Sequence, residues 1–292
     1  MDKYILPALI ANASTLGIHW IYDHKFINKL SKKESLLFRI QQKNIYDQAE
    51  TSYFSYPNQQ LGDVTVQGDI LKWLYQAIKS NPDFSQLDYS KLLYQQFKPG
   101  GAYHGYVESY AKKHVLTLLA QSLDIDMPSL PIMDDHLVGF MPYIVCKELN
   151  LDIKKAWELT QVYSQDEDYY VYFKMFDQLL GLIPKLGLKK AIISAIDHGP
   201  DKYQVQLHKG VEMSDPNLFI EHYSGRACAI KFSIPLIIHI LYHTNSYEEA
   251  VNYNALLGGA ISDRNMIIGM VMSQISKIPE TWIDLVADKI KL

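Results

Sequence analysis

The sequence predicts an all-α protein that folds as a single domain over residues 1–292. Apolar residues recur at helical spacing along most of the chain, as they do over residues 70–78. The alternation typical of a β-strand occurs in one short piece, residues 203–210, which we predict as part of a hairpin. No internal repeat, charge block or low-complexity tract indicates a second domain.

The elements follow in chain order. The first predicted helix covers residues 4–17, is rich in alanine and leucine, and leads into an aromatic turn over residues 18–23. Residues 31–60 have little periodicity and are predicted as a long ordered loop, a kind of segment that often carries function. Residues 127–131 are a proline-bounded linker. The other predicted helices cover residues 26–31, 70–78, 88–97, 107–122, 134–149, 153–163, 169–183, 187–198, 214–222, 228–242, 246–257, 266–276 and 280–290.

Composition narrows the class of protein. A chain of this length buries about three quarters of its extended surface, so a large core is expected. The net charge of −4 provides no basic patch, so nucleic acid is not an expected partner. No apolar run reaches the ~18 residues of a membrane span, and no membrane partner is expected. Two cysteines are too few for a disulfide framework and predict a reducing, cytoplasmic location.

The stretch most suggestive of chemistry is residues 254–273. A glycine pair, Gly258 and Gly259, runs into the polar residues Ser262, Asp263 and Arg264, and an apolar helical run follows. Paired glycines let the backbone turn sharply and approach a ligand, and a helix start suits an anion such as phosphate. The alternative is a helix corner whose polar residues only cap the helix.

Acidic residues stand at two other helix starts. Asp63, Thr65 and Asp69 lie on a loop that enters a helix, where oxygen ligands suit Mg²⁺. The alternative is that Thr65 or Asp63 caps this helix and Asp69 favours its dipole. Asp134 and Asp135 open another helix and define a third hypothesis, an unrelated helical enzyme, although acids at a helix start need no catalytic explanation.

Three weaker signals remain. The loop that contains Tyr103 and His104 could cover a nucleotide or a sugar, or simply connect two helices. The cysteines occur in apolar runs predicted to be helical, and no Cys–His pair suggests a nucleophile. His239 and His243 share a helix face, but no acid completes a metal-binding spacing there.

Four segments, in order, resemble the ADP-ribosylglycohydrolase family, and most closely its divergent J1-crystallin-like branch. Residues 16–23, LGIHWIYD, resemble the P-L-H-W-I-Y-D segment of that branch, and residues 62–69 resemble its first metal loop. Residues 225–239 resemble G-x-x-C…F-P…H. Residues 254–269 resemble N-x-x-x-G-G-D-x-x-x-R…G. The resemblance covers roughly residues 5–271.

This resemblance implies an all-α fold, two Mg²⁺ ions and hydrolysis of the bond between ADP-ribose and a side chain or small leaving group. By resemblance, acids of the first and last loops hold the metals, and the glycine-rich loops cradle the diphosphate and ribose. The metals would polarise ribose oxygens and activate a water.

The chain departs from the family pattern at the metal ligands. Where the family has T-D-D-T, residues 67–70 read QGDI, so Asp69 is the one acid that remains. His19 stands where many members have a glutamate, and Ala260 stands where the last loop has an aspartate. Loss of carboxylates weakens a Mg²⁺ site, so a reduced or altered metal centre is expected.

The leading hypothesis is a hydrolase of an ADP-ribosyl linkage, N- or O-glycosidic, with ADP-ribose or an ADP-ribosylated substrate as its partner. Asp69 and Asp263 are its acids, His19 is its general base, and Asp69, Thr65 and Asp263 are its metal ligands. The expected ligand contacts are Trp20, Gly100, Gly101, Tyr103, His104, Gly258, Gly259, Ser262 and Arg264. The alternative is a catalytically silent member that binds ADP-ribose or a nucleotide, or serves structurally.

Overall fold

Helices form the regular structure of the part of the chain that our computed structural model describes, residues 3–125 and 135–290. Within these residues no β-strand forms, and extended pairing is limited to two isolated bridges, Ile21–Ser52 and His136–Ala229. The α-helices are α1 (Ile5–Thr15), α2 (His24–Ser31), α3 (Lys43–Tyr46), α4 (Val66–Ser80), α5 (Gln86–Phe97), α6 (Ser109–Ser122), α7 (Met141–Glu148), α8 (Ile153–Thr160), α9 (Asp168–Leu186), α10 (Leu188–Ile196), α11 (Gln204–Glu212), α12 (Pro216–Tyr223), α13 (Ile230–His243), α14 (Tyr247–Leu257), α15 (Ile261–Met272) and α16 (Glu280–Val286). The predicted all-α class is confirmed.

Two buried helices, α1 and α15, form the centre of the molecule. Every residue of α15 is buried, as are ten of the eleven residues of α1. A helix that is apolar on most of its faces must be covered on most of its faces, which explains this position. Their axes approach closely because Gly269 leaves room: a Cβ atom there would lie 2.6 Å from the carbonyl oxygen of Pro7.

The other helices cover this pair. Helices α4, α14 and α16 pack against α1, and α13 packs against α15. Helices α7, α8, α9 and α10 follow one another as packed neighbours on the α4 side, and α11 and α12 pack on α13. One hydrophobic core, with members from Tyr4 to Ile290, joins these layers.

Some predicted elements are wrong. Residues 203–210 are helical, lying in a 3-10 turn, Asp201–Tyr203, and α11, because packing on α13 overrides their alternating pattern. Cys228 precedes α13 instead of lying in it, and a short helix, α3, interrupts the long predicted loop. In the described residues no helix is both long and apolar enough to cross a bilayer.

Candidate functional site

A buried asparagine ties the starts of α4 and α15 to the middle of α1. The Asn12 side-chain amide donates to Thr65 Oγ1 at 2.9 Å and to the Ser262 carbonyl oxygen at 3.0 Å. Its side-chain oxygen accepts the Thr65 backbone N–H at 2.8 Å. Both helix starts are therefore held at one place, although they are nearly two hundred residues apart in the chain.

Asp263 lies in the first turn of α15 and is fully buried. Its Oδ1 accepts a hydrogen bond from Thr65 Oγ1 at 3.2 Å, and its Oδ2 has no hydrogen-bond partner among the described residues. Burial raises the pKa of this carboxyl to about 7, although the Thr65 hydroxyl and the Arg264 charge favour the ionised form. Asp263 therefore gains and loses its proton near neutral pH.

His19 faces this carboxyl as a neutral imidazole. Its Nδ1 accepts the Ser262 backbone N–H at 3.2 Å, from which we infer that the ring proton is on Nε2. Nε2 lies 3.6 Å from Asp263 Oδ2, too far for a hydrogen bond. Burial, followed by the Arg264 charge, lowers the pKa of His19 well below its ordinary value. Because the Nδ1 lone pair accepts a hydrogen bond and Nε2 carries the ring proton, the predicted general base has no free lone pair, and Asp263 is the better proton acceptor.

Glu108 is a second buried carboxyl at this place, and our sequence analysis did not identify it. It is the residue before α6, but its side chain forms no helix cap and is 4% exposed. Burial raises its pKa well above the ordinary value, and the Asp263 charge raises it further, whereas the nearby Gln67 amide opposes the rise. Because the Asp263 charge raises the pKa of Glu108, ionisation of Asp263 disfavours ionisation of Glu108.

The buried polar atoms around these acids are unusual in lacking partners. Buried polar groups normally form hydrogen bonds, and several unpartnered ones in one region need a physical reason. Those in the described residues near the two acids are His19 Nε2, both polar atoms of the Gln67 amide, Glu108 Oε1, Tyr110 Oη and Asp263 Oδ2. They form a buried polar cluster inside an otherwise apolar core, and we use the name acid chamber for this cluster.

One layer of aromatic rings separates the acid chamber from a surface cleft. The Trp20 ring lies 4.6 Å from the His19 ring, 6.2 Å from Tyr56 and 5.4 Å from Tyr106, between ring centroids. Tyr56 and Tyr106 also line a cleft of about 500 Å³. The Trp20 backbone lies in the left-handed region at φ 66°, and its backbone N–H donates to the Gly259 carbonyl oxygen at 2.9 Å. The cleft therefore ends on the wall that covers the acids.

Asp69 lies in this cleft and not in the acid chamber. Its carboxylate forms an ion pair with Lys72, one turn along α4, at 2.7 Å. Burial raises its pKa, and the Lys72 charge opposes the rise. Asp63 lines the same cleft and lies 3.4 Å from Lys289. Asp263 is not among the lining residues of the cleft, so the two acids predicted for one site lie on either side of the aromatic wall.

The predicted metal ligands do not form a donor set for Mg²⁺. The Asp69 carboxylate forms an ion pair with the Lys72 ammonium group. The two oxygens of Asp263 face the Thr65 hydroxyl and the His19 ring N–H. Within residues 3–125 and 135–290, no three His, Cys, Asp or Glu side chains are grouped so that they could hold a metal ion. A hard dication requires several anionic oxygens, so these residues do not fit it. Thr65 instead caps α4, accepting the Gly68 N–H at 3.4 Å.

The glycine elbow serves backbone packing. Gly258 and Gly259 adopt φ 78° and 79°, and a Cβ on Gly259 would lie 2.2 Å from the Arg226 carbonyl oxygen. Arg264 is fully buried and donates from Nε to Asn254 Oδ1 at 2.9 Å and from Nη1 to the Arg226 carbonyl oxygen at 2.9 Å. Arg264 thus supports the elbow and does not face the cleft. Ser262 is buried behind it and does not cap α15 through its side chain.

The loop before α6 contributes its second half to the cleft. Tyr103, His104 and Tyr106 line the cleft, whereas Gly100 and Gly101 do not. Gly101 is required for close packing, because a Cβ there would lie 2.4 Å from the Gln96 carbonyl oxygen. Of the predicted ligand contacts, Tyr103 and His104 are therefore the ones that a ligand in the cleft would meet, and Trp20 stands behind them.

Cys228 lies beside a histidine. Cys228 Sγ lies 3.5 Å from His136 Nδ1, and burial, with Glu108 and Asp263 adding to it, raises the pKa of the thiol. A thiol that keeps its proton is a poor nucleophile, so the pair is not a catalytic dyad in this state. Asp134 and the linker of residues 127–131 lie outside the described residues.

The histidine pair on α13 belongs to the packing of α11. His239 Nδ1 lies 2.9 Å from the Gly210 carbonyl oxygen and Nε2 lies 3.1 Å from Tyr253 Oη. Burial lowers the pKa of His239 to about 4.

Apart from Gly100 and Gly101, the residues predicted for the site from the sequence lie in three places: the acid chamber, the cleft with its aromatic wall, and the elbow. Glu108 and Gln67 could have been found only from an acid before α6 and an amide at the start of α4, signals that are common at helix starts. Comparison with known protein families and with curated proteins found no match for this chain.

Proposed function

We propose that the protein hydrolyses a glycosidic bond of the ADP-ribosyl type, with Asp263 and Glu108 as the reacting acids. The observation that carries the proposal is the buried Asp263 carboxyl with a pKa of about 7 and an unpartnered oxygen. A general acid or base works best when its pKa is near the working pH. The resemblance of four ordered segments to ADP-ribosylglycohydrolases supports the choice of substrate class.

The two acids divide the proton transfers. Glu108, whose pKa is raised further by the charge of Asp263, is the protonated partner and donates a proton to the leaving group. Asp263, once ionised, accepts a proton from the attacking water. Loss of that proton from Asp263 and its return to Glu108 then restore the starting state. The Thr65 hydroxyl holds the Asp263 carboxyl through Oδ1, and the His19 ring faces its other oxygen. No step is assigned to a metal ion.

The substrate would enter through the cleft. Its base or leaving group stacks on Tyr103 and Tyr106, aromatic faces that suit planar rings. The bond to be cleaved reaches the acids when the Tyr106 side of the aromatic wall moves aside, since Asp263 is fully buried behind it. Closing of the wall afterwards excludes bulk water.

The test is release of ADP-ribose from peptides ADP-ribosylated on arginine or serine. We expect turnover by the unaltered protein, and a loss of about 100-fold or more in both Asp263→Asn and Glu108→Gln. Asp284→Asn, which changes an exposed acid on α16, is the matched control and should retain full activity. Turnover that survives both substitutions would remove the assignment of the acids.

The second candidate is a protein that binds such a ligand without turnover. Two observations favour this silent binder. Asp263 is fully buried behind the aromatic wall, and Asp69 forms an ion pair with Lys72. Calorimetry with ADP-ribose separates the candidates: heat of binding without turnover supports the silent binder. No heat at millimolar ADP-ribose, together with no turnover, would remove both.

A further inference from the structure

A second cavity, of about 550 Å³, shares no lining residue with the cleft. Its lining includes Tyr22, His24, Asn217, Glu221 and Arg226. No role in the proposed hydrolysis uses these side chains.

Arg226 is positioned in this cavity by its neighbours. Its Nε donates to the Leu257 carbonyl oxygen at 2.6 Å, and its Nη2 lies 3.4 Å from Asn217 Oδ1. Its own carbonyl oxygen accepts hydrogen bonds from Arg264 Nη1 and from the Ala260 N–H, both at 2.9 Å. Backbone and side chain are therefore fixed before any ligand arrives, which lowers the entropic cost of binding.

The Arg226 charge has no counter-ion in the described residues. No carboxylate there forms an ion pair with its guanidinium, and half-burial lowers its pKa without any acid to oppose the effect. The Arg226 charge acts on His24: burial lowers the pKa of His24, and the Arg226 charge lowers it further. Arg264 lies close by and adds a second positive charge. A half-buried guanidinium without a counter-ion favours the binding of an anion.

We infer that this cavity is a binding site for a small organic oxyanion, a carboxylate or a phosphate, held by the free edge of the Arg226 guanidinium beside His24. Nη1 and the second hydrogen of Nη2 remain available for two parallel hydrogen bonds. Tyr22 and Ile220 offer an apolar surface for the rest of the ligand. Glu221 lines the same cavity and opposes the anion.

The test uses inorganic phosphate, phenyl phosphate and benzoate, titrated into the full chain while the His24 ring protons are followed by NMR. We expect saturable binding with a Kd of about 1–10 mM and an upward shift of the His24 pKa, since a bound anion favours the imidazolium. Tighter binding of phenyl phosphate than of benzoate would assign phosphate, and the reverse order would assign carboxylate. Absence of saturation with all three probes overturns the inference.

Three variants locate the site. Arg226→Met should weaken binding about tenfold or more, whereas Lys25→Met, which removes a neighbouring exposed charge, should change it less than about twofold. Glu221→Gln should tighten binding about two- to fivefold, because it removes a like charge without touching Arg226. This variant keeps the test decisive if Arg226→Met fails to fold. Equal affinity in Glu221→Gln and the unaltered chain would contradict the assignment.

Discussion

Replacement of Asp263 by asparagine should change how stability depends on pH. Burial raises the pKa of Asp263 from its ordinary 3.8 to about 7, so the folded protein binds a proton there more tightly than the unfolded chain does. Stability from this group is complete below about pH 4 and is lost as the pH rises through 7. Each pKa unit corresponds to about 1.36 kcal/mol, so the loss amounts to about 4 kcal/mol.

The assay is urea unfolding of both proteins from about pH 4 to pH 8. We expect the difference in unfolding free energy, unaltered protein minus Asp263→Asn, to fall by about 4 kcal/mol across this range. The pH dependence is the readout, since the amide also alters contacts with Thr65 and His19. The control, Asp284→Asn, should run parallel to the unaltered protein. Parallel curves for Asp263→Asn would refute the raised pKa.

Three further substitutions test the packing around the site. Gly259→Ala should destabilise the protein by about 3 kcal/mol or more, because φ is 79° and the Arg226 carbonyl oxygen lies 2.2 Å from the new Cβ; a normal melting temperature would contradict this. Asn12→Ala should cost about 2–4 kcal/mol in unfolding free energy, since three buried hydrogen bonds are lost, and a cost below about 0.5 kcal/mol would count against it. Tyr106→Ala should increase acrylamide quenching of Trp20, measured against Trp20→Phe, with little change in stability; unchanged quenching would mean that Tyr106 does not shield the wall.

Helical periodicity was sufficient to predict the fold class. The apolar run after Arg264 and the alanine-rich first helix became the two central helices, α15 and α1. The alternation in residues 203–210 led to the wrong prediction of a hairpin. Polar and apolar residues also alternate over a short stretch of α11, a helix that packs one face on α13. Local pattern cannot show which face a neighbouring helix will cover.

The candidate site was predicted in part. Asp263, His19 and Thr65 do lie together, and Asn12 joins the helix starts that carry Thr65 and Asp263. A single sequence does not show that an asparagine such as Asn12 will be buried. Asp69 was expected beside Asp263. It lies one helical turn after Thr65 on α4, and its side chain pairs with Lys72 in the cleft. Glu108 could not be assigned, since its inward direction depends on the path of the loop before α6.

The most direct test of the account is the protonation state of Glu108 at neutral pH, read by infrared spectroscopy of the carboxyl stretch. We predict a band from protonated carboxyls in the unaltered protein at pH 7 that loses the Glu108 contribution in Glu108→Gln, because burial and the Asp263 charge hold the Glu108 pKa well above its ordinary value. The intensity that remains in the variant belongs to Asp263, whose pKa is about 7. A spectrum without a protonated carboxyl at pH 7, or a band of equal intensity in the variant, would contradict the paired acids on which the proposed hydrolysis depends.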